Sequence, residues 1–316
     1  MEKVIVTGGA GFIGSHTVEQ LLREGYQVAV IDNFTTGHQE NIADLPVDVY
    51  VCDIADSAVI ELIKSIKPDY IIHLAAQVSV AQSVEDPLFD QRINIQGSLN
   101  VMNGARFAGA RKIVFASSAA VYGNPSELPV TTRHPTRPES PYGLAKLTVE
   151  HYLQLFQSFY QLPYAILRFS NVYGPRQDAA GEGGVISIFC ERLHKGTPPM
   201  IYGDGEQTRD FIYVQDVARA LAAALKLEEN LCVNVSNGSS VTINQLFQQL
   251  RAVAHSDCSV YYGPARPGDI RHSMLANDET KRLLGWKPLV SLEKGLRETL
   301  DDTYRRMKKA GKKAVH

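Results

Sequence analysis

The chain has 316 residues, 44% of them hydrophobic and 21% charged, with a formal net charge of −2. That length supports a large core and two lobes, in the composition range of an ordinary globular protein. The balanced charge gives no reason to expect nucleic acid or an acidic membrane as a partner. Cys52, Cys190, Cys232 and Cys258 are scattered, forming neither a disulfide framework nor a metal knuckle, so a reducing cytoplasm and no metal are expected. No apolar run reaches membrane-spanning length, and the N-terminus lacks a signal-peptide pattern.

The first apolar run, Lys3 to Thr7, predicts a strand and is followed at once by Gly8-Gly9-Ala10-Gly11-Phe12-Ile13-Gly14. A helical pattern (Val18, Leu21, Leu22) comes next. Strand, glycine turn and helix together form the context of a dinucleotide site, in which bare backbone and a helix N-terminus meet a pyrophosphate. Two spacings are open: Gly9, Gly11 and Gly14, or Gly8, Gly11 and Gly14. Gln27 to Ile31 predicts a second strand ending in Asp32, about 20 residues past the glycines, where a carboxylate binds ribose hydroxyls and repels a 2′-phosphate. No arginine lies in Asn33 to Gly37, a stretch that includes Thr36, so the expected cofactor is NAD rather than NADP.

Val47 to Cys52 predicts a third strand ending in Asp53, with Ile54 next, and Ser57 to Ile66 a helix. Asp69 to Leu74 predicts a fourth strand that opens into Ala75, Ala76 and Gln77. Strands alternating with helices of this length indicate an α/β, Rossmann-type doubly wound parallel sheet, with ligands beyond the carboxyl ends of its strands. A long amphipathic helix is predicted from Leu88 to Ala108. Asn94 interrupts it, either facing solvent or anchoring the loop beneath a cofactor. Lys112 to Ala116 predicts a fifth strand leading into Ser117 and Ser118 at the ligand edge.

Ser140-Pro141 then reads as the N-cap and first turn of a helix. Tyr142 and Lys146 lie one turn apart on its face. Such a pair is either a lysine stem packed on a ring or a phenol made more acidic by an ammonium and able to act as a base. Tyr164 to Arg168 predicts a sixth strand. Beyond it, a polar, glycine-rich stretch from Asp178 to Gly184 reads as a mobile loop. The rest holds short helices (Val185 to His194, Val214 to Lys226, Ile243 to Ala254) and two strands, Asp210 to Val214 and Leu231 to Val235, that partly rejoin the main sheet. The expected division is a cofactor domain over 1–170 and a smaller mixed α/β substrate lobe over 171–316. The basic end, Arg305 to Lys309, reads as a solvated helix end.

Taken together, the glycine loop, Asp53-Ile54, His73-Leu74-Ala75-Ala76, Ser117 to Gly123, Tyr142 to Lys146, Asn171 to Pro175, Thr208 to Val214 and Arg266 to Asp269 resemble the extended short-chain dehydrogenase/reductase family. Within that family the chain looks most like the nucleotide-sugar 4-epimerases of the UDP-glucose type. The resemblance implies catalytic roles for Ser118, Tyr142 and Lys146, and NAD held by the glycine loop, Asp32 to Gly37, Asp53, Ile54, Leu74 to Gln77, Asn94 and Ser117. It further implies a UDP-sugar held by Asn171, Val185, Tyr202, Arg209, Arg266 and Asp269, and a homodimer through the helices that follow Pro87 and Pro141.

Two positions depart from the family's usual pattern. Ser170 replaces an aromatic beside the nicotinamide wall. Ser273 stands where a bulky tyrosine restricts some relatives, leaving volume for an N-acetyl group. The related dehydratases carry an Asp-Glu pair where this chain has Ser118 and Ala119, which argues against water elimination. The alternatives are another sugar-nucleotide enzyme on the same scaffold, such as a UDP-glucuronate 4-epimerase or an NAD-dependent reductase, and a binding protein without turnover.

Overall fold

A computed structural model describes residues 1–179, 184–265 and 270–313. Its centre is a seven-stranded parallel sheet. The first six strands in chain order are β1 (Lys3–Thr7), β2 (Gln27–Asp32), β3 (Asp48–Val51), β4 (Tyr70–His73), β5 (Lys112–Ser118) and β6 (Tyr164–Phe169). They are arranged 6-5-4-1-2-3, and Leu231–Val235 pairs with β6 at the edge. Val4, Ile5 and Val6 are fully buried, as expected for a parallel strand covered by helices on both faces. One face packs under helices Phe12–Arg23 and Val214–Leu225, the other under the Ala58–Ile66, Ser98–Ala108 and Pro141–Tyr160 helices. The sheet order reverses between β1 and β4, so a crevice opens at their carboxyl ends.

A separate core joins Tyr173, Phe189, Phe211, Phe247 and Leu300, and this is the smaller lobe. Three two-stranded sheets belong to the C-terminal half. Of the two strands expected to rejoin the main sheet, Leu231–Val235 does so. Phe211–Tyr213 instead pairs in parallel with Asn171–Tyr173, outside that sheet. The two halves interleave, because helix Val214–Leu225 returns to pack against Phe12–Arg23.

The predicted long helix is also modified. Short helices at Val80–Glu85 and Pro87–Gln91 precede a π-helical turn at Arg92–Gly97, and α-helical geometry resumes at Ser98. Part of the predicted mobile loop, residues 180–183, lies outside the described residues. Among the described residues, no helix is long and apolar enough to cross a membrane, and all four cysteines are free.

Candidate active site

The glycine turn is built by contact rather than flexibility alone. Gly8 has φ +69°, and a Cβ there would meet the Ala75 nitrogen at 2.7 Å. A Cβ on Gly14 would lie 2.0 Å from the Gly8 carbonyl oxygen. Gly9 packs on the Val30 side chain instead, so the spacing that builds the site is Gly8, Gly11, Gly14. Helix Phe12–Arg23 starts at Gly11 with no side-chain cap, leaving its first N–H groups for a ligand. Asp32 is buried at the tip of β2, where its carboxylate accepts from Ala10 N and Phe34 N, each at 2.9 Å. Gly37 backs onto that carboxylate, 2.9 Å from where its Cβ would be. These are the features of a cradle for an adenosine diphosphate: bare backbone, a helix N-terminus and a ribose acceptor. The residues fit NAD.

One cleft runs from this loop to the helix turn of the candidate catalytic pair. It is lined by Gly8, Gly11, Phe12, Ile13, Gly14, Asp32, Asn33, Thr36, Gly37, Asp53, Ile54, Leu74, Ala75, Ala76, Gln77, Ser117, Tyr142 and Lys146, every one named from the sequence. Phe89, Arg92, Ile93 and Phe169 line it too, and the sequence did not single them out. Phe169 supplies an aromatic wall, whereas Ser170 is buried with its hydroxyl donating to Asp210 at 3.3 Å.

Asn94 lies behind the wall, buried rather than exposed to solvent. Its amide donates to the Gln77 carbonyl and to Asp90 Oδ1, both at 2.9 Å, and its Oδ1 accepts from Gln77 N at 3.0 Å. Gln77 in turn donates to Asp90 Oδ1 at 2.8 Å. Asp90 therefore anchors the loop that carries Ala75 to Gln77, with burial pushing its carboxyl above the usual range and the Gln77 and Asn94 bonds opposing that. It was missed in the sequence, although it lies one helical turn before Asn94.

The Pro141–Tyr160 helix is capped as expected, Ser140 Oγ accepting from Gly143 N at 3.1 Å. Lys146 is only 5% exposed, and its Nζ donates to the Ala116 carbonyl at 2.9 Å. The ammonium lies 5.8 Å from the centre of the Tyr142 ring and 4.9 Å from that of Phe115. Burial brings its pKa down to about 8, against the opposing pull of Asp90 and Glu150. Below Lys146, His73 accepts from Thr7 Oγ1 at 2.7 Å through Nδ1, and its Nε2 lies 2.9 Å from Ser98 Oγ. Ser98 gives its own proton to the Asn94 carbonyl at 2.6 Å, so Nε2 is the donor to Ser98. Burial, with a smaller push from Lys146, drops His73 to about 3 and keeps it neutral.

Ser118, half-buried at the end of β5, accepts from Ala120 N at 3.1 Å. Next to it, Ser117 donates to Glu150 Oε1 at 2.5 Å, and Glu150 forms a forked ion pair with Arg168 in the interior. Removing one partner of such a buried pair costs about 3–5 kcal/mol, so it is a structural commitment of this region. Glu150 went unremarked in the sequence, although it is one turn beyond Lys146.

The described candidate substrate residues Asn171, Val185, Tyr202, Arg209 and Ser273 do not line this cleft. Asn171 opens the strand beside Phe211–Tyr213, and Val185 begins helix Val185–His194. Tyr202 ends strand Met200–Tyr202, its carbonyl accepting from Gln207 Nε2 at 2.8 Å. Arg209 follows Thr208, whose carbonyl oxygen accepts from Ser273 N at 3.2 Å, so Arg209 and Ser273 are brought together. Arg266 and Asp269 lie outside the described residues. No cluster of His, Cys, Asp or Glu able to hold a metal is present among the described residues.

Comparison with known proteins places this geometry. The profile of the NAD dependent epimerase/dehydratase family matches residues 4–236. A putative UDP-glucose 4-epimerase of Methanocaldococcus jannaschii is 42% identical over 94% of this chain and 97% of its own length. The crystal structure of UDP-glucose 4-epimerase from Thermotoga maritima, with UDP-glucose, superposes at TM-score 0.93 with 43% identity, covering 97% of this chain and 99% of that one. UDP-N-acetylglucosamine 4-epimerase from Methanobrevibacter ruminantium superposes at 0.92 with 38% identity, covering 97% and 99%.

Proposed function

The chain belongs to the NAD-dependent epimerase/dehydratase family, and from that premise we propose that it is a cytoplasmic UDP-sugar 4-epimerase, interconverting UDP-glucose with UDP-galactose and UDP-GlcNAc with UDP-GalNAc. The observation that carries this reading is the single cleft in which the glycine cradle, Asp32, Tyr142 and Lys146 meet. NAD, when bound, supplies a reversible two-electron acceptor for C4 of the sugar. The chain's own residues handle the proton. Tyr142 takes it from the 4-hydroxyl as C4 is oxidised and returns it after the 4-keto sugar has turned over. Ser118 bonds the same oxygen, and the buried Lys146 places positive charge beside the Tyr142 ring.

Asp32 has two backbone donors already, and its carboxylate would repel a 2′-phosphate. For the nucleotide, Asn171, Val185 and Tyr202 hold uridine. Arg209 and Arg266 hold the diphosphate, a task for forked and permanently charged guanidiniums. Asp269 accepts from the ribose, and Ser273 leaves room at the sugar's C2 for an acetamido group. Support for acting on acetylated sugars comes from this small side chain and from the likeness to the M. ruminantium enzyme.

A homodimer completes the reading. Leu88, Leu144, Leu155 and Phe159 are 48–78% exposed on the helices that follow Pro87 and Pro141, apolar side chains that a partner would cover. Light scattering should give twice the chain mass, and a monomer would remove this part of the proposal.

The test of function is an assay of UDP-glucose, UDP-GlcNAc and UDP-glucuronate without added NAD, alongside heat release of bound cofactor. Turnover of the first two with NAD retained is expected. Turnover of UDP-glucuronate alone would favour the glucuronate epimerase, a need for stoichiometric NAD a reductase, and no turnover a binding role.

A further inference from the structure

Glu150 and Arg168 do not end the polar network described above. Arg168 Nη1 donates to the Tyr122 hydroxyl at 2.9 Å, and that hydroxyl donates to Asn234 Oδ1 at 2.7 Å. Asn234 Nδ2 donates to the Val130 carbonyl at 2.9 Å, while Val130 N donates to the Met274 carbonyl at 2.8 Å. Ala276 N closes on the same Val130 carbonyl at 2.8 Å. Glu150, Arg168, Tyr122 and Asn234 are each at least nine-tenths buried. One unbroken series of hydrogen bonds thus starts at Ser117, beside Ser118, and ends on the residue next to Ser273. In sequence its members are scattered from Ser117 to Ala276.

The middle of this series bears directly on the catalytic groups. Tyr122 closes the short 3₁₀ turn Ala119–Tyr122, whose Ala120 N bonds Ser118 Oγ. The carbonyl of the same residue meets the catalytic helix, because it lies 2.6 Å from where a Gly143 Cβ would sit. The turn is therefore wedged between Ser118 and the residue after Tyr142, and the Tyr122 hydroxyl is its tether. Neither Tyr122 nor Asn234 lines the cofactor cleft.

We propose that Tyr122 and Asn234 are positioning residues that hold Ser118 and Tyr142 in register with the sugar-side segment 273–276. Seating of substrate on that segment is then transmitted, through Val130, Asn234 and Tyr122, to the two groups that share the sugar 4-oxygen. This inference rests on the epimerase reading.

The test compares Tyr122→Phe, Asn234→Leu and the double variant with wild type, using UDP-glucose as substrate and UDP as a binding probe. Each single variant should lose about tenfold or more in kcat, because small misplacement of reacting groups is costly. KM and the Kd for UDP should stay within about threefold, since ground-state contacts are untouched. The double variant should be no slower than the worse single one, because both cut the same link. A merely structural role would lower Tm, UDP binding and kcat together. A kcat for Tyr122→Phe within about twofold of wild type, or additive losses in the double variant, would overturn the proposal. Should Tyr122→Phe fail to fold, Asn234→Leu is read by the same criteria. Absence of wild-type turnover with any UDP-sugar would overturn the epimerase reading and this inference with it, whereas an active wild type with unaffected variants overturns this inference alone.

Discussion

On the cofactor side, Gly8, Gly14, Asp32 and Gly37 meet so closely that a Cβ on any of the three glycines would fall within 2.9 Å of a neighbouring atom. On the proposed sugar side, Tyr202, Arg209 and Ser273 sit on or beside short two-stranded sheets, with Ser273 held by a lone bridge in which Thr208 N donates to the Arg271 carbonyl at 2.9 Å and Ser273 N to the Thr208 carbonyl at 3.2 Å. The first construction has no slack and suits a group kept through every turnover. The second leaves recognition to side chains, whose size can change without disturbing the backbone. In the proposed reaction, a ketone that turns over between oxidation and reduction needs that looser half.

Tyr142 lines the cofactor cleft beside Lys146 and carries the proposed proton transfer, and its removal should have the largest effect. Tyr142→Phe is expected to lower kcat by about a hundredfold to ten-thousandfold, the range for losing a positioned acid–base group. Bound NAD and the Kd for UDP should be unchanged, because phenylalanine keeps the ring that lines the cleft and loses only the hydroxyl. Full activity in that variant would refute the role assigned to the phenol.

Gly14→Ala tests the tight half. Its new methyl would lie 2.0 Å from the Gly8 carbonyl oxygen, and a backbone oxygen in a wedged turn cannot move aside cheaply. Overpacking of this kind destabilises by about 1–3 kcal/mol. Purified Gly14→Ala protein should therefore melt lower and release no NAD on denaturation. Retention of a full complement of NAD would show that the cradle has slack after all.

Ser273→Tyr is the matching probe of the permissive half. Tm and NAD content should stay at wild-type values, and the ratio of acetylated to unacetylated turnover should fall about tenfold or more, a typical value for lost pocket volume. An unchanged ratio in competition assays would remove Ser273 from the specificity assignment.

The same contrast explains what could be read from the amino-acid order. The cofactor half is written locally: Gly8 to Gly14 is one turn, and Asp32, Asp53, Ala75 and Ser117 each end a strand or follow one closely. Periodicity and turn residues find such features because they span a few positions. Asn94 was ambiguous for a physical reason. The π-helical turn at Arg92–Gly97 adds a residue to the helix and turns its face by about 100°, so a polarity pattern with period 3.6 loses phase there. The link from Tyr122 to Asn234 was invisible for another reason, since their hydroxyl–amide bond joins positions 112 apart in sequence. The pairing of Phe211–Tyr213 with Asn171–Tyr173 was lost in the same way, because strand identity is local and strand partner is not.

The smallest expected effect separates the anchoring of the cofactor wall from its charge. Asp90 holds both Gln77 and Asn94 through Oδ1, contacts that an asparagine oxygen can still accept, so Asp90→Asn should keep the wall in place. It removes a negative charge that, with Glu150, holds up the pKa of Lys146 against burial. His73, neutral beneath the ammonium, supplies no compensation. In wild type the ammonium is present below about pH 8 and is lost as pH rises through that value. Without Asp90 the loss begins at lower pH, so the alkaline limb of kcat/KM should move down by less than about one unit, leaving activity at neutral pH reduced by less than about twofold. NAD content should remain full. A limb that stays in place or moves up would show that Asp90 serves the wall alone, and that the charge of Lys146 is set entirely by its burial and by Glu150.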